Sequence, residues 1–157
     1  MTTGKIIIGS DHAGYSLKQN IIYYLQDMGM TVADAGATSG DSVDYPDYGS
    51  LVAQSVSSGE FERGILICGS GIGMSIVANK FPNVRAALCL DEDMAEMSRL
   101  HNNSNILVLA GRKTDTATAK AITATWLKTE FEGGRHTKRI DKIKDLEHRL
   151  SKTPNKA

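Results

Sequence analysis

Apolar residues run along this chain in two rhythms. Short unbroken runs rich in branched side chains occupy residues 5–9, 64–68, 85–90 and 106–110, and each stops at a glycine or a polar residue. Runs of that length and composition predict strands buried on both faces, and residues 31–35 add a fifth. Between the runs the spacing changes. Leu17, Ile21, Tyr24, Leu25 and Met28 recur at helical intervals and predict a helix over 15–28, with Gly29 at its C-terminal cap. Further helices are predicted over 45–58, with Pro46 in the first turn, and as a short segment running to Lys80. A fourth follows Asp91, a good N-cap backed by Glu92 and Asp93 at the positive helix end. Two more cover 115–128 and 137–150.

Strand and helix alternate five times. The pattern predicts a single-domain, doubly wound (Rossmann-like) α/β fold: a five-stranded parallel sheet with helices on both faces and right-handed crossovers. The domain spans 1–150, and 151–157 is expected to be a frayed tail. The extra C-terminal helix is highly charged and has no evident task inside a compact monomer, so a partner subunit is expected to receive it. Ligands of such sheets bind outside the carboxyl ends of the strands. That directs attention to residues 9–14, 36–44, 68–75, 90–93 and 111–114.

Composition narrows the function. The chain has 157 residues, 41% hydrophobic and 23% charged, with 18 Lys and Arg balancing 18 Asp and Glu. That balance argues against a nucleic acid or an anionic membrane as partner. No apolar run reaches the length of a bilayer span, and residues 1–5 show no signal-peptide character. Cys68 and Cys89 fit no zinc spacing and read as reduced thiols of a cytoplasmic protein.

The segment Cys68-Gly-Ser-Gly-Ile-Gly-Met-Ser75 is the most informative. Gly69, Gly71 and Gly73 let backbone approach a ligand, and their amides with the next helix start can form an anion nest. The plainer alternative is a tight turn with Cys68 as a small core residue. Three glycines in five residues exceed what a turn needs. A thiol at a strand end facing a helix start is expected to titrate below its usual value of about 8.5, and could act as nucleophile or general base. The third glycine comes one residue early for a dinucleotide fingerprint, and Met74-Ser75 replaces the Lys-Ser/Thr of a P-loop and the arginine of a phosphatase loop.

Asp11 and His12 follow the first strand. They could cap a helix and face solvent, but next to the Cys68 loop they suit hydroxyl orientation and phosphate binding. His101 in a last helical turn simply favours the dipole when taken alone. Arg135 and Arg139 stand four apart, so both can point one way and clamp a phosphate. Arg112 is a third such cation. Tyr45 could reach the ligand edge, while Tyr48, Cys89 and Trp126 read as structural. A metal site from Asp11, His12, Cys68 and His101 is conceivable but lacks helical zinc spacing.

Taken together, Gly9-Ser-Asp-His-Ala-Gly14, Asp44-Tyr-Pro-Asp47, the Ile67–Ser75 loop, Ala78-Asn-Lys80, His101-Asn-x-x-Asn105 and Glu132-Gly-Gly-Arg-His136 resemble B-type ribose-5-phosphate isomerases. That group belongs to the wider sugar-phosphate isomerase family with the galactose-6-phosphate enzymes. The resemblance covers about residues 5–150. It implies metal-free, cofactor-free interconversion of ribose 5-phosphate and ribulose 5-phosphate through an enediolate, with Cys68 as the base. Gly69, Gly71, Ile72, Gly73 and Ser75 would line the oxyanion and substrate loop. Ser70 and His101 resemble the ring-opening pair. Asp11 and Asn102 would hold hydroxyls, Tyr45 would line the pocket, and His12, Arg112, Arg135 and Arg139 would hold phosphate. The family forms homodimers or tetramers that share sites, and the segment around His101 and Arg112 is the expected loan. Ser70 keeps the hydroxyl that many relatives carry on threonine. Met74 stands where one branch has a glutamate base, which leaves Cys68 for that task. The alternatives are a hexose 6-phosphate isomerase of the allose or galactose type and a non-catalytic sugar-phosphate sensor; galactose-type relatives depart from the Gly-Gly-Arg-His segment, so its presence here favours the pentose enzyme.

Overall fold

Residues 4–152 are described by the structure, a computed structural model, and they hold five strands and six helices in βα alternation. Strands β1 (Lys5–Ser10), β2 (Thr31–Asp34), β3 (Arg63–Cys68), β4 (Ala86–Leu88) and β5 (Ile106–Ala110) form one sheet in the order β2-β1-β3-β5-β4. Every pairing is parallel. Helices α1 (Tyr15–Asp27), α4 (Glu92–Leu100) and α5 (Thr116–Lys128) cover one face, and α2 (Tyr45–Ser57) and α3 (Ile72–Ala78) cover the other. Helix α6 (Arg135–Ser151) comes last.

The two-residue period of a strand divides the core. Ile6, Ile8, Ile65, Ile67, Leu107 and Leu109 pack under α1 and α5. Ile7, Leu66, Cys68, Ile106 and Val108 pack under α2 and α3. Each fully buried branched side chain contributes about 1.5–3 kcal/mol, so the sheet is held from both sides. Several predicted signals act as expected. Gly29 follows α1 with φ +82, Pro46 lies in the first turn of α2, and Asp91 Oδ1 accepts the Met94 amide at 2.8 Å.

Three boundaries differ from the expected ones by two residues, and others by one. Helix α3 stops at Ala78 because the Asn79 side chain ties the turn, donating to the Ser75 and Ala86 carbonyls at 3.0 Å and accepting the Ala86 amide at 2.9 Å. Strand β4 is three residues long, and the Arg85 amide before it is taken by Asn105 Oδ1 at 2.7 Å. Helix α6 begins at Arg135 instead of residue 137, directly after two glycines with positive φ, Gly133 and Gly134. Ser151, placed in the expected tail, closes α6. Residues 153–157 of that tail, and residues 1–3, lie outside the described residues.

Buried polar groups brace the loops that carry function. Lys18 is fully buried, ion-paired with Asp34 and donating to the Ala37 carbonyl at 2.7 Å, which ties α1 to the loop after β2. Trp126 is more than packing: its Nε1 donates to Ser104 Oγ at 2.8 Å, and Ser104 Oγ lies 2.9 Å from Ser98 Oγ. Arg99 reaches the Thr129 carbonyl at 3.1 Å and Asn103 Oδ1 at 3.0 Å. Burial, and after it the charge of Arg63, lowers its guanidinium to about 10. Cys89 belongs to the core, as expected, and burial pushes its thiol up to about 11.

Gly14 is the tightest backbone contact between α1 and the sheet. A Cβ there would lie 2.5 Å from the Ile67 carbonyl oxygen, whereas one on Gly40 meets nothing within 4 Å. Gly14→Ala is expected to cost about 1–3 kcal/mol by overpacking, and Gly40→Ala to stay within about 0.5 kcal/mol. Urea denaturation midpoints measure both, and equal midpoints would contradict the packing. Cys89 is expected to resist thiol reagents at pH 8, where a group titrating near 11 is about one part in a thousand thiolate. Mass spectrometry of labelled native protein reads this directly, and labelling of Cys89 at its urea-unfolded rate contradicts it.

Candidate functional site

The carboxyl ends of β1, β3 and β5 open into a cleft of about 410 Å³. Its walls come from three loops. Asp11, His12 and Ala13 follow β1, Cys68 ends β3 and Gly69 and Ser70 follow it, and Arg112 and Lys113 follow β5. Tyr45, at the start of α2, and Gly73 in α3 close the rim. The neighbouring of β1 and β3, with Ser10 opposite Ile67, brings the Asp11-His12 pair to the Cys68 loop.

Backbone hydrogen bonds stitch the loops together. The Asp11 amide donates to the Ile67 carbonyl at 3.2 Å, Gly111 to Cys68 at 2.8 Å and Arg112 to Gly69 at 3.0 Å. Asp11 is buried, and its Oδ1 accepts the amide of Gly14, the N-cap of α1, at 3.0 Å. Its other oxygen is left for a ligand. His12 is held at Nδ1 by the Val43 backbone at 3.2 Å, so Nε2 is the ring nitrogen available to the cleft. Cys68, 4% exposed, sits at the cleft floor beside Met74 and Val108. Ser70 Oγ accepts the Ile72 amide at 3.2 Å.

The glycines of the loop answer to particular neighbours. Gly71 has φ +76, a left-handed conformation that disfavours a side chain. A Cβ on Gly73 would lie 2.7 Å from the Tyr45 ring, and one on Gly69 would lie 3.3 Å from Arg112 Cδ. Two of the three glycines therefore make room for side chains that line the cleft.

Of the residues singled out from sequence, Asp11, His12, Tyr45, Cys68, Gly69, Ser70, Gly73 and Arg112 share this cleft. Gly71, Ile72 and Ser75 do not line it: the Ile72 side chain points to solvent, and the Ser75 amide is spent on the Gly71 carbonyl within the helix. His101, Asn102, Arg135 and Arg139 also stand outside it. Arg112 was expected on the segment lent to a partner, and this is corrected: it lies in the cleft of its own chain, pinned by its amide to Gly69. Ala13 and Lys113 line the cleft as well; both fall within the strand-end ranges 9–14 and 111–114, but their side chains carry no signature that singles them out. Tyr48 packs against Gly36, a structural role as expected.

A second cluster forms where α4 ends. Arg99 ties Thr129 to α4, and the Glu132 amide donates to the Leu100 carbonyl at 3.1 Å. His101 then stacks on His136, with ring centroids 4.4 Å apart and 14° between planes. Glu132 Oε2 lies 3.3 Å from His136 Nε2 and 3.9 Å from His101 Nε2. The metal set weighed from sequence is not assembled, because His101 is absent from the Cys68 cleft. Asn102 lines a separate groove with Arg85, Ile143, Leu146 and Leu150. Among the described residues no helix is long and apolar enough to cross a membrane.

The Cys68 cleft thus gathers a thiol, a hydroxyl, a buried carboxylate, an imidazole and two cations. Cations and imidazole suit a phosphate, the carboxylate suits sugar hydroxyls, and the thiol can move a proton. Comparison with known proteins places the chain in a family. Residues 6–143 match the ribose/galactose isomerase family. Ribose-5-phosphate isomerase B of Escherichia coli is 44% identical over 145 residues, covering 92% of this chain and 97% of that one. The D-erythrulose-4-phosphate isomerase of Pectobacterium atrosepticum is 42% identical, covering 91% and 95%. The structure of ribose-5-phosphate isomerase B from Clostridium thermocellum superposes with a TM-score of 0.91 at 52% identity, covering 93% and 99%. With fold and sequence in agreement over nearly its whole length, the chain is an isomerase that belongs to the ribose/galactose isomerase family.

Proposed function

We propose that this chain interconverts ribose 5-phosphate and ribulose 5-phosphate through an enediolate, in the cytoplasmic pentose phosphate pathway and without a metal or cofactor. The observation that carries the reading is the position of Cys68: it stands on the floor of a cleft whose walls carry Asp11, His12 and Arg112. A carbon acid beside a carbonyl needs a base and a charge-stabilising hole together. Cys68 is the base that carries the proton between C2 and C1, and the amides of Gly69 to Gly73 stabilise the enediolate oxygen. Ser70 and His101 open the furanose ring. Asp11 and Asn102 hold hydroxyls, and Tyr45 covers the sugar. His12, Arg112, Arg135 and Arg139 grip the phosphate, whose remote binding energy orients the reacting carbons.

The reading requires two chains. His101, Asn102, Arg135 and Arg139 do not line the cleft of their own chain, so a second copy supplies them in a homodimer or a tetramer. The exposed Ile143, Leu146 and Leu150 on one side of α6 support that arrangement. A relative named for a four-carbon ketose phosphate makes substrate length the point to test.

Ribose 5-phosphate is expected to turn over with a chelator present, faster than erythrose, allose or galactose phosphates. Cys68→Ala is expected to lower kcat by about 10²–10⁴. Unimpaired turnover by Cys68→Ala sinks the mechanism, and a preference for a hexose or tetrose phosphate sinks the substrate. Mixing Cys68→Ala chains with Arg135→Ala/Arg139→Ala chains tests the sharing. Reassortment into isologous dimers leaves one intact site in each hybrid and restores about one quarter of wild-type activity. A mixture no more active than its separate parts refutes shared sites.

A further inference from the structure

The proposed isomerisation uses His101 but assigns nothing to the two side chains against it. His101, Glu132 and His136 bring one donor atom each within 4.8 Å of one another. His136 is the fixed member. Its side chain is 4% exposed, and its Nε2 is buried without a hydrogen-bond partner although it lies 3.3 Å from Glu132 Oε2. A buried imidazole nitrogen left unpaired is unfavourable, and a ligand that takes its lone pair removes that cost.

Two imidazole nitrogens and one carboxylate oxygen are the donor set of borderline divalent transition metals, and not of calcium or magnesium, which take oxygen ligands. Bonds of about 2.0–2.2 Å place tetrahedral ligand atoms roughly 3.3 Å apart. The His136–Glu132 separation of 3.3 Å already meets this, and the His101–Glu132 separation of 3.9 Å must close by roughly half an ångström. In the present stack the ring planes lie 14° apart, so the lone pairs run side by side. His101 is the ring that can turn, because it caps α4 with its side chain 39% exposed. Glu132 is pinned nearby through its amide to Leu100.

We propose that His101, Glu132 and His136 form a binding site for a zinc-class divalent cation, with a fourth position open to water. Two of the ligands are preset, and the third swings in. The consequence for turnover rests on the isomerase reading. A cation that occupies the His101 nitrogen removes the group proposed to open the sugar ring, so the metal acts as an inhibitor and not as a cofactor.

Cobalt(II) titration of the full chain, after chelation and desalting, tests binding without any substrate. The expected result is one cobalt per chain, with visible d–d bands, no near-ultraviolet thiolate-to-cobalt band, and displacement by zinc. Glu132→Gln and His136→Gln should each weaken binding by more than about tenfold, and Cys68→Ser should leave it unchanged. His136 is buried and its replacement can disturb folding, so the exposed Glu132 provides the second, conservative variant. No saturable binding, a thiolate band, or wild-type affinity in Glu132→Gln overturns the site. Zinc should also inhibit wild-type turnover reversibly and Glu132→Gln much less. Equal inhibition of both overturns the proposed consequence while leaving the isomerase reading intact, and loss of all turnover in the wild type leaves the cobalt result standing.

Discussion

Everything at the active end of this molecule depends on how closely the backbone at the carboxyl ends of β1, β3 and β5 can be brought together. Gly14 lies against the Ile67 carbonyl with no space for a side chain, and Gly111 lies against the backbone of residues 13 and 14. Amides of Asp11, Gly111 and Arg112 then bridge from one loop to the next. Main-chain bonds of this kind do not depend on side-chain rotamers. They hold the backbone that carries Asp11, Cys68 and Arg112 in register at one end of the sheet, which is what a well-placed site requires.

The fold was legible because each face of the sheet buries a complete set of branched side chains. Runs such as Ile6-Ile7-Ile8 announce a strand covered on both sides. The places where reading from sequence fell short are places where a side chain competes with the backbone. Asn79 and Asn105 accept or donate bonds that would otherwise extend α3 and β4. Asparagine has that capacity at many positions, and only the tertiary neighbour decides which amide it takes. The double glycine before α6 was read as a longer break, although both residues complete their turn in left-handed conformations and the helix follows at once.

The site was legible in its two loops and less so in its limits. Asp11-His12 and Cys68 to Ser70 were found because a parallel sheet must present the residues after its strands. Lys113 has no chemical signature beyond its charge, and only the course of the loop after β5 brings it to the wall. For Ile72 and Ser75 the difficulty is directional. A glycine-rich loop does not reveal from sequence which side chains turn away from the cleft, and α3 turns these two aside. The His101–Glu132–His136 cluster joins the end of one helix to the entry of another. Its assembly depends on Arg99, a buried cation whose partners lie as far along the chain as Thr129.

The glycine loop ties residues together in heredity as well as in space. Gly73 must stay a glycine while the Tyr45 ring fills the volume that a methyl group would need, and Gly69 stands in a similar, looser relation to Arg112. In each pair, one position is empty because the other is full. A lineage that trades Tyr45 for a smaller residue releases Gly73 to vary, and one that acquires a side chain at 73 must first shed the ring. The cleft therefore changes shape by paired steps through an intermediate that is poorly packed.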